Sequence, residues 1–99
     1  MAYRIEYSPE AEQHLRGLTA RDQSIVLDEV ERVLAHNPAV ETRNKKPMRP
    51  NPMAPWELRI GHLRVYYDVV AVPKRAVLVR AVGIKERNQV IIGGEVIEL

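Results

Sequence analysis

Trp56-Glu-Leu-Arg-Ile-Gly-His-Leu-Arg-Val-Tyr-Tyr-Asp68 is the stretch on which the fold turns. Two alternating, β-forming runs flank Gly61-His62, and glycine in the first turn position suits a type II′ hairpin, which needs positive φ there. The register then follows from the two-residue turn: Ile60 opposes Leu63, Arg59 opposes Arg64, Leu58 opposes Val65, Glu57 opposes Tyr66 and Trp56 opposes Tyr67. Period two sorts these side chains onto two faces. One face carries Trp56, Leu58, Ile60, Leu63, Val65, Tyr67 and Val69, all apolar. The other carries Glu57, Arg59, Arg64, Tyr66 and Asp68.

That second face sets two like charges side by side, an arrangement that destabilises a sheet. Two readings stand. In one, Glu57 reaches Arg64 diagonally, Asp68 helps, and the cluster is a solvated face contributing little. In the other, the guanidiniums are kept for a phosphate, which they bind by paired, charge-assisted hydrogen bonds. Lys85 and Arg87, just beyond the next strand, and Tyr66 on the same face add to the second reading.

Upstream, Tyr3-Arg-Ile-Glu-Tyr7 alternates as a short first strand. Ser8-Pro9-Glu10 has the order of a helix start: a serine cap, proline in the first turn, then an acid facing the positive end. Gly17 ends that helix. Thr19 caps a second, in which Val26, Leu27, Val30, Val33 and Leu34 repeat at helical spacing, until Asn37-Pro38 stops it. The apolar stripes of this helical hairpin match the apolar face of the β-hairpin.

Residues 43–55, RNKKPMRPNPMAP, change character. Four prolines there disfavour helix and most sheet pairing and favour an extended path. Arg43, Lys45, Lys46 and Arg49 line it, as a plain linker or as a stiff basic arm for a polyanion. Strands are expected at roughly 56–60, 63–71 and 76–84. The tail around Gly93-Gly94 carries a hairpin signal, or is a terminus that orders on a partner. The expected fold is α+β: a small, mainly antiparallel, twisted sheet of four to five strands packed on an N-terminal helical hairpin, in β-α-α-β-β-β order, as a single domain over 1–99.

The chain has 99 residues, 45% hydrophobic and 28% charged, with no cysteine. Disulfides, thiolate-bound zinc and a thiol nucleophile are thereby excluded. The start lacks an apolar signal core and no run reaches a membrane span, so a cytoplasmic protein is expected. The formal net charge of +2 hides an asymmetry: residues 1–42 hold four Lys/Arg against eight Asp/Glu, and residues 43–87 hold eleven against three. Such a basic half points to nucleic acid or an acidic polypeptide as partner. No His/Asp/Glu set has ligand spacing and the strand face is too cationic for a divalent ion, so no metal or other cofactor is expected.

With two helices ahead of it, WELRIGHLRVYYDV running on to VGIKERNQV resembles the RelE/ParE superfamily of toxins from bacterial type II toxin–antitoxin modules. The likeness extends from the first strand to about Val90 and is densest in the Leu-Arg-x-Gly-x-x-Arg-Val-x-Tyr core. It implies an acidic antitoxin as partner. It further implies one of two targets: RelE-type members cut mRNA on the ribosome, whereas ParE-type members inhibit DNA gyrase. A member that only binds RNA or protein is the third reading.

By this resemblance Arg64 matches the arginine placed on the scissile phosphate, Lys85 a further arginine after the glycine, and Arg87 another basic position. Pro55 and Glu57 stand where RelE itself has lysines, and Ile91 where it has a tyrosine. The phosphate-binding half is therefore kept better than the proton-transfer half. For metal-independent RNA cleavage Arg64, Arg59 and Lys85 would stabilise the phosphorane charge. His62 or Glu57 would serve as base. Tyr66, Arg87 and the basic segment from Arg43 to Arg49 would hold the strand.

Overall fold

The structure, a computed structural model, describes residues 2–98. Strand β1 (Arg4–Tyr7) leads into helices α1 (Pro9–Arg16) and α2 (Ala20–Leu34), followed by β2 (Lys45–Pro47), β3 (Trp56–Ile60), β4 (Leu63–Val70), β5 (Ala76–Glu86), β6 (Gln89–Ile92) and β7 (Glu95–Ile97). Both helix starts form as their residue types dictate. Ser8 Oγ accepts the Ala11 N–H and Thr19 Oγ1 accepts the Asp22 N–H, satisfying donors that the helix itself leaves free.

The strands lie in the order β2-β3-β4-β5-β6-β7, antiparallel throughout, and β1 adds to β5 in parallel. The hairpin register is the one its turn requires, with Arg59 opposite Arg64 and Gly61 at φ 58°. Strands β1 and β6 share one edge of β5: β1 pairs with Ala76–Val79 and β6 with Gly83–Glu86. The gap between them is closed by α1. Ser8 donates its backbone N–H to Val79 and its hydroxyl to the Arg80 carbonyl, and His14 Nδ1 accepts the Val82 N–H at 3.3 Å.

The main core lies between helices and sheet. Ala11, Leu15, Val26, Val30 and Leu34 meet Leu58, Leu63, Val65, Tyr67, Val77, Val79 and Val82. Trp56 and Tyr67 stack at 6.1 Å, and the Tyr67 hydroxyl donates to the Pro38 carbonyl at 2.7 Å, so this buried phenol is satisfied. Truncating a fully buried leucine such as Leu58 or Leu34 would remove about 2–5 kcal/mol.

Three features depart from the sequence reading. The sheet exceeds the expected four to five strands because β2 pairs along β3 and the tail forms the hairpin β6–β7, with Gly93 and Gly94 at φ 60° and 82°. The proline-rich segment is not an extended arm. After β2 it folds into a closed loop in which Asn51 Oδ1 accepts the Met53 and Ala54 N–H groups, while Nδ2 donates to the Arg49 and Ala54 carbonyls. The second sheet face is not wholly open either: Tyr66, Ala54, Ala81 and Ile92 form a small core there, flanked by Met48, Met53, Val90 and Ile97. Among the described residues no helix is long and apolar enough to cross a membrane.

Candidate functional site

Beside that small core lies a cleft of about 550 Å³, lined by the ends of β2, β3, β4, β5 and the tail hairpin. Alternation carries Glu57 and Arg59 of β3, Arg64 of β4 and Lys85 of β5 to it. Lys46, which pairs with Glu57, and Arg49 enter from the β2 side. Five cations thus converge from four chain segments, against Glu57 and the exposed Glu98.

The ion pairing inside the cleft is uneven. Glu57 Oε1 takes Arg59 Nε at 2.9 Å, along one strand instead of across to Arg64. Arg64 is only 8% exposed, and its Nη1 donates to the carbonyls of Gly61 and Leu63 at 2.7 and 2.8 Å. No carboxylate lies within 4 Å of it among the described residues. The carbonyls fix the guanidinium without neutralising it, and a buried charge left uncompensated is costly. Of the two readings of the arginine couple, the diagonal ion pair is not formed.

Tyr66, expected at the site, is instead fully buried in the small core and does not line the cleft, and its hydroxyl has no hydrogen-bond partner among the described residues. Burial, and then the nearby Glu57 carboxylate, push its pKa well above the ordinary phenol value. An unsatisfied buried hydroxyl is uncommon and costs free energy until a partner arrives. Opposite Arg64 sits Gly83, where a Cβ would come within 2.7 Å of the Ile91 carbonyl oxygen and of Ile92. Glycine there lets β6 approach and form the cleft wall.

Besides Tyr66, four residues expected at the site lie elsewhere. Lys45 pairs with Leu58 and so faces the helix side, nearly buried, with Nζ donating to the Asn37 carbonyl at 2.6 Å. Desolvation lowers its pKa. Its alternation with Lys46 predicts this, once β2 is known to be a strand. His62 projects from the hairpin tip toward α2, with Nε2 3.3 Å from Asp22 Oδ2, and does not line the cleft. Arg43 is exposed ahead of β2, and Arg87 occupies the β5–β6 turn at φ 57°; neither lines the cleft. Sequence reasoning missed Asn51 and left the direction of Arg80 open. The first is a loop asparagine with no periodic signal, and the second is set by an irregularity in β5.

No protein-family model and no curated protein matches the sequence. Among solved structures, the chain is similar to a chain of the toxin–antitoxin complex RelBE2 from Mycobacterium tuberculosis. That likeness has a TM-score of 0.74 and 21% identity, and covers 86% of this chain and 93% of the other. The chain therefore shares its fold with that chain of the complex.

Proposed function

We propose that the chain is the toxin of a type II toxin–antitoxin module and acts in the cytoplasm as a ribosome-dependent mRNA endonuclease. The observation that carries this reading is Arg64, a buried guanidinium fixed by two carbonyls and without a carboxylate among the described residues, in a cleft lined by further cations. That chemistry suits a phosphodiester, whose anionic oxygens accept charge-assisted bonds.

The cleavage needs no metal. Glu57, held by Arg59, takes the proton of the ribose 2′-hydroxyl, whose oxygen attacks the adjacent phosphorus. A 2′,3′-cyclic phosphate forms as the bond to the 5′-oxygen breaks; that oxygen takes a proton from solvent water, and Glu57 gives up its proton to solvent. Arg64 and Lys85 neutralise the charge that builds on the phosphorane, commonly the largest catalytic contribution. Of the two base candidates, Glu57 is favoured over His62 because only Glu57 lines the cleft. An acidic antitoxin complements the basic cleft, and the solved neighbour is itself a toxin–antitoxin complex.

The test is induction of the chain in bacterial cells, primer extension across cellular mRNA, and a parallel gyrase supercoiling assay. Codon-positioned cuts that disappear in Arg64→Ala are expected. Growth arrest with intact mRNA and inhibited gyrase would overturn the reading.

A further inference from the structure

The cationic cleft continues beyond Arg49. Tyr66 pairs with Ala81 but Tyr67 pairs with Val79, so Arg80 is an extra, unpaired residue in β5. A bulge re-aims its side chain and shifts the alternation that follows. Val79 stays in the main core, while Arg80 is turned to the opposite side, where it lines a second cleft of about 410 Å³ with the loop that carries Arg49. The bulge is held in place: Ser8 bonds the carbonyls on both sides of it, Val79 at 2.9 Å and Arg80 at 3.2 Å. Arg80 is exposed and has no carboxylate within 4 Å among the described residues.

The two clefts share Met48, Arg49, Pro50 and Asn51, and so form one continuous surface from Lys85 and Arg64 to Arg80. Past Arg80 the lining turns acidic, with Glu10 and Glu95. A polyanion that follows the cations therefore ends its path there. We propose that Arg80, together with Arg49, forms a second phosphate subsite for single-stranded RNA whose reacting phosphate lies at Arg64. This rests on the endonuclease reading and adds the course of the strand to it.

The subsite grips backbone and is indifferent to base identity. The uncharged polar side chain that lines the second cleft, Asn51, already spends both side-chain atoms on four backbone groups of its own loop. Met48, Met53 and the prolines offer only apolar surface to a base or ribose. Cations tracking a backbone over sequence-tolerant surface are the usual arrangement for single-stranded nucleic acid.

The experiment measures binding of non-cleavable 2′-O-methyl uridine oligomers, a dimer and an octamer, across a salt series. It uses the full chain, Arg80→Gln, Arg80→Lys and Arg64→Ala. Octamer affinity is expected to fall roughly five- to tenfold in Arg80→Gln, with the salt slope reduced by about 0.7, the value for one phosphate contact. Arg80→Lys should keep most of both, and the dimer should bind alike to the wild-type, Gln and Lys chains. An unchanged octamer slope in Arg80→Gln, or an equal loss for dimer and octamer, overturns the second subsite while leaving the first intact. If Arg64→Ala binds both oligomers as well as the wild type does, the primary site fails and the second fails with it.

Discussion

Arg64 lies directly across the β3–β4 hairpin from Arg59, and among the described residues only Arg59 of the two has a carboxylate partner. Two like charges at a paired position thus differ in state: one is held in an ion pair and one is held by carbonyls alone, as the proposed phosphate site requires. Replacing Arg64 by alanine should lower cleavage by about 10²–10³-fold, the usual range for losing one donor to a developing oxyanion. Lysine should restore part of the activity through charge alone, since it lacks the planar fork. Single-turnover rates on a ribosome-bound message would check both variants.

Glu57 has an opposite effect on binding and on chemistry. Among the described residues it is the sole carboxylate paired with a cleft cation of β3, β4 or β5, namely Arg59. Glu57→Gln should therefore tighten binding of a non-cleavable RNA oligomer several-fold while abolishing cleavage. Weaker binding together with normal cleavage would remove Glu57 from its role as base.

Tyr66 offers a test that separates stability from ligand binding. Removing its orphaned hydroxyl in Tyr66→Phe should leave the free protein as stable as before, or up to about 1 kcal/mol more stable, because no bond is lost. The same change should leave oligomer binding unaltered, since the buried hydroxyl does not line the cleft. Paired thermal melts and binding curves would show whether the two effects diverge.

His14 makes the sheet edge sensitive to acid. Burial, opposed by the Glu10 charge, lowers its pKa below the ordinary 6.5, and its Nδ1 must be unprotonated to accept the Val82 N–H. The folded state then binds fewer protons than the unfolded one, so its stability is complete above pH about 6.5 and falls as the pH drops through the folded pKa. In His14→Asn the amide oxygen replaces Nδ1 without titrating. Its melting temperature should fall less than that of the wild type between pH 7.5 and 5. Parallel curves would contradict the role of His14.

Arg87 sits in the left-handed region, where a side chain costs about 1 kcal/mol relative to glycine. Arg87→Gly should therefore raise the unfolding free energy by about that amount, as read from urea denaturation. No gain would mean that the arginine makes compensating contacts.

The sequence disclosed what local rules control. The Gly61-His62 turn fixed the hairpin register, Ser8-Pro9 and Thr19 fixed the helix starts, and period two sent Glu57, Arg59 and Arg64 to one face. What stayed hidden depended on non-local pairing. Lys45 was placed with its basic neighbours because prolines masked a three-residue strand, and only strand alternation separates it from Lys46. His62 was drawn to the site by its chemistry, although its turn bends toward Asp22. Arg80 stayed open because no short turn fixes the β4–β5 register, and the bulge there appears only in the pairing across strands.

The most direct test is to follow the Arg64 side-chain Nε–Hε signal by NMR while titrating a 2′-O-methyl RNA oligomer at low salt. A large, saturating shift at Arg64, with smaller shifts at Arg59 and none at the exposed Arg32 on α2, is the predicted result. An oligomer that binds while the Arg64 signal stays fixed would contradict the claim that this guanidinium is held for a phosphate.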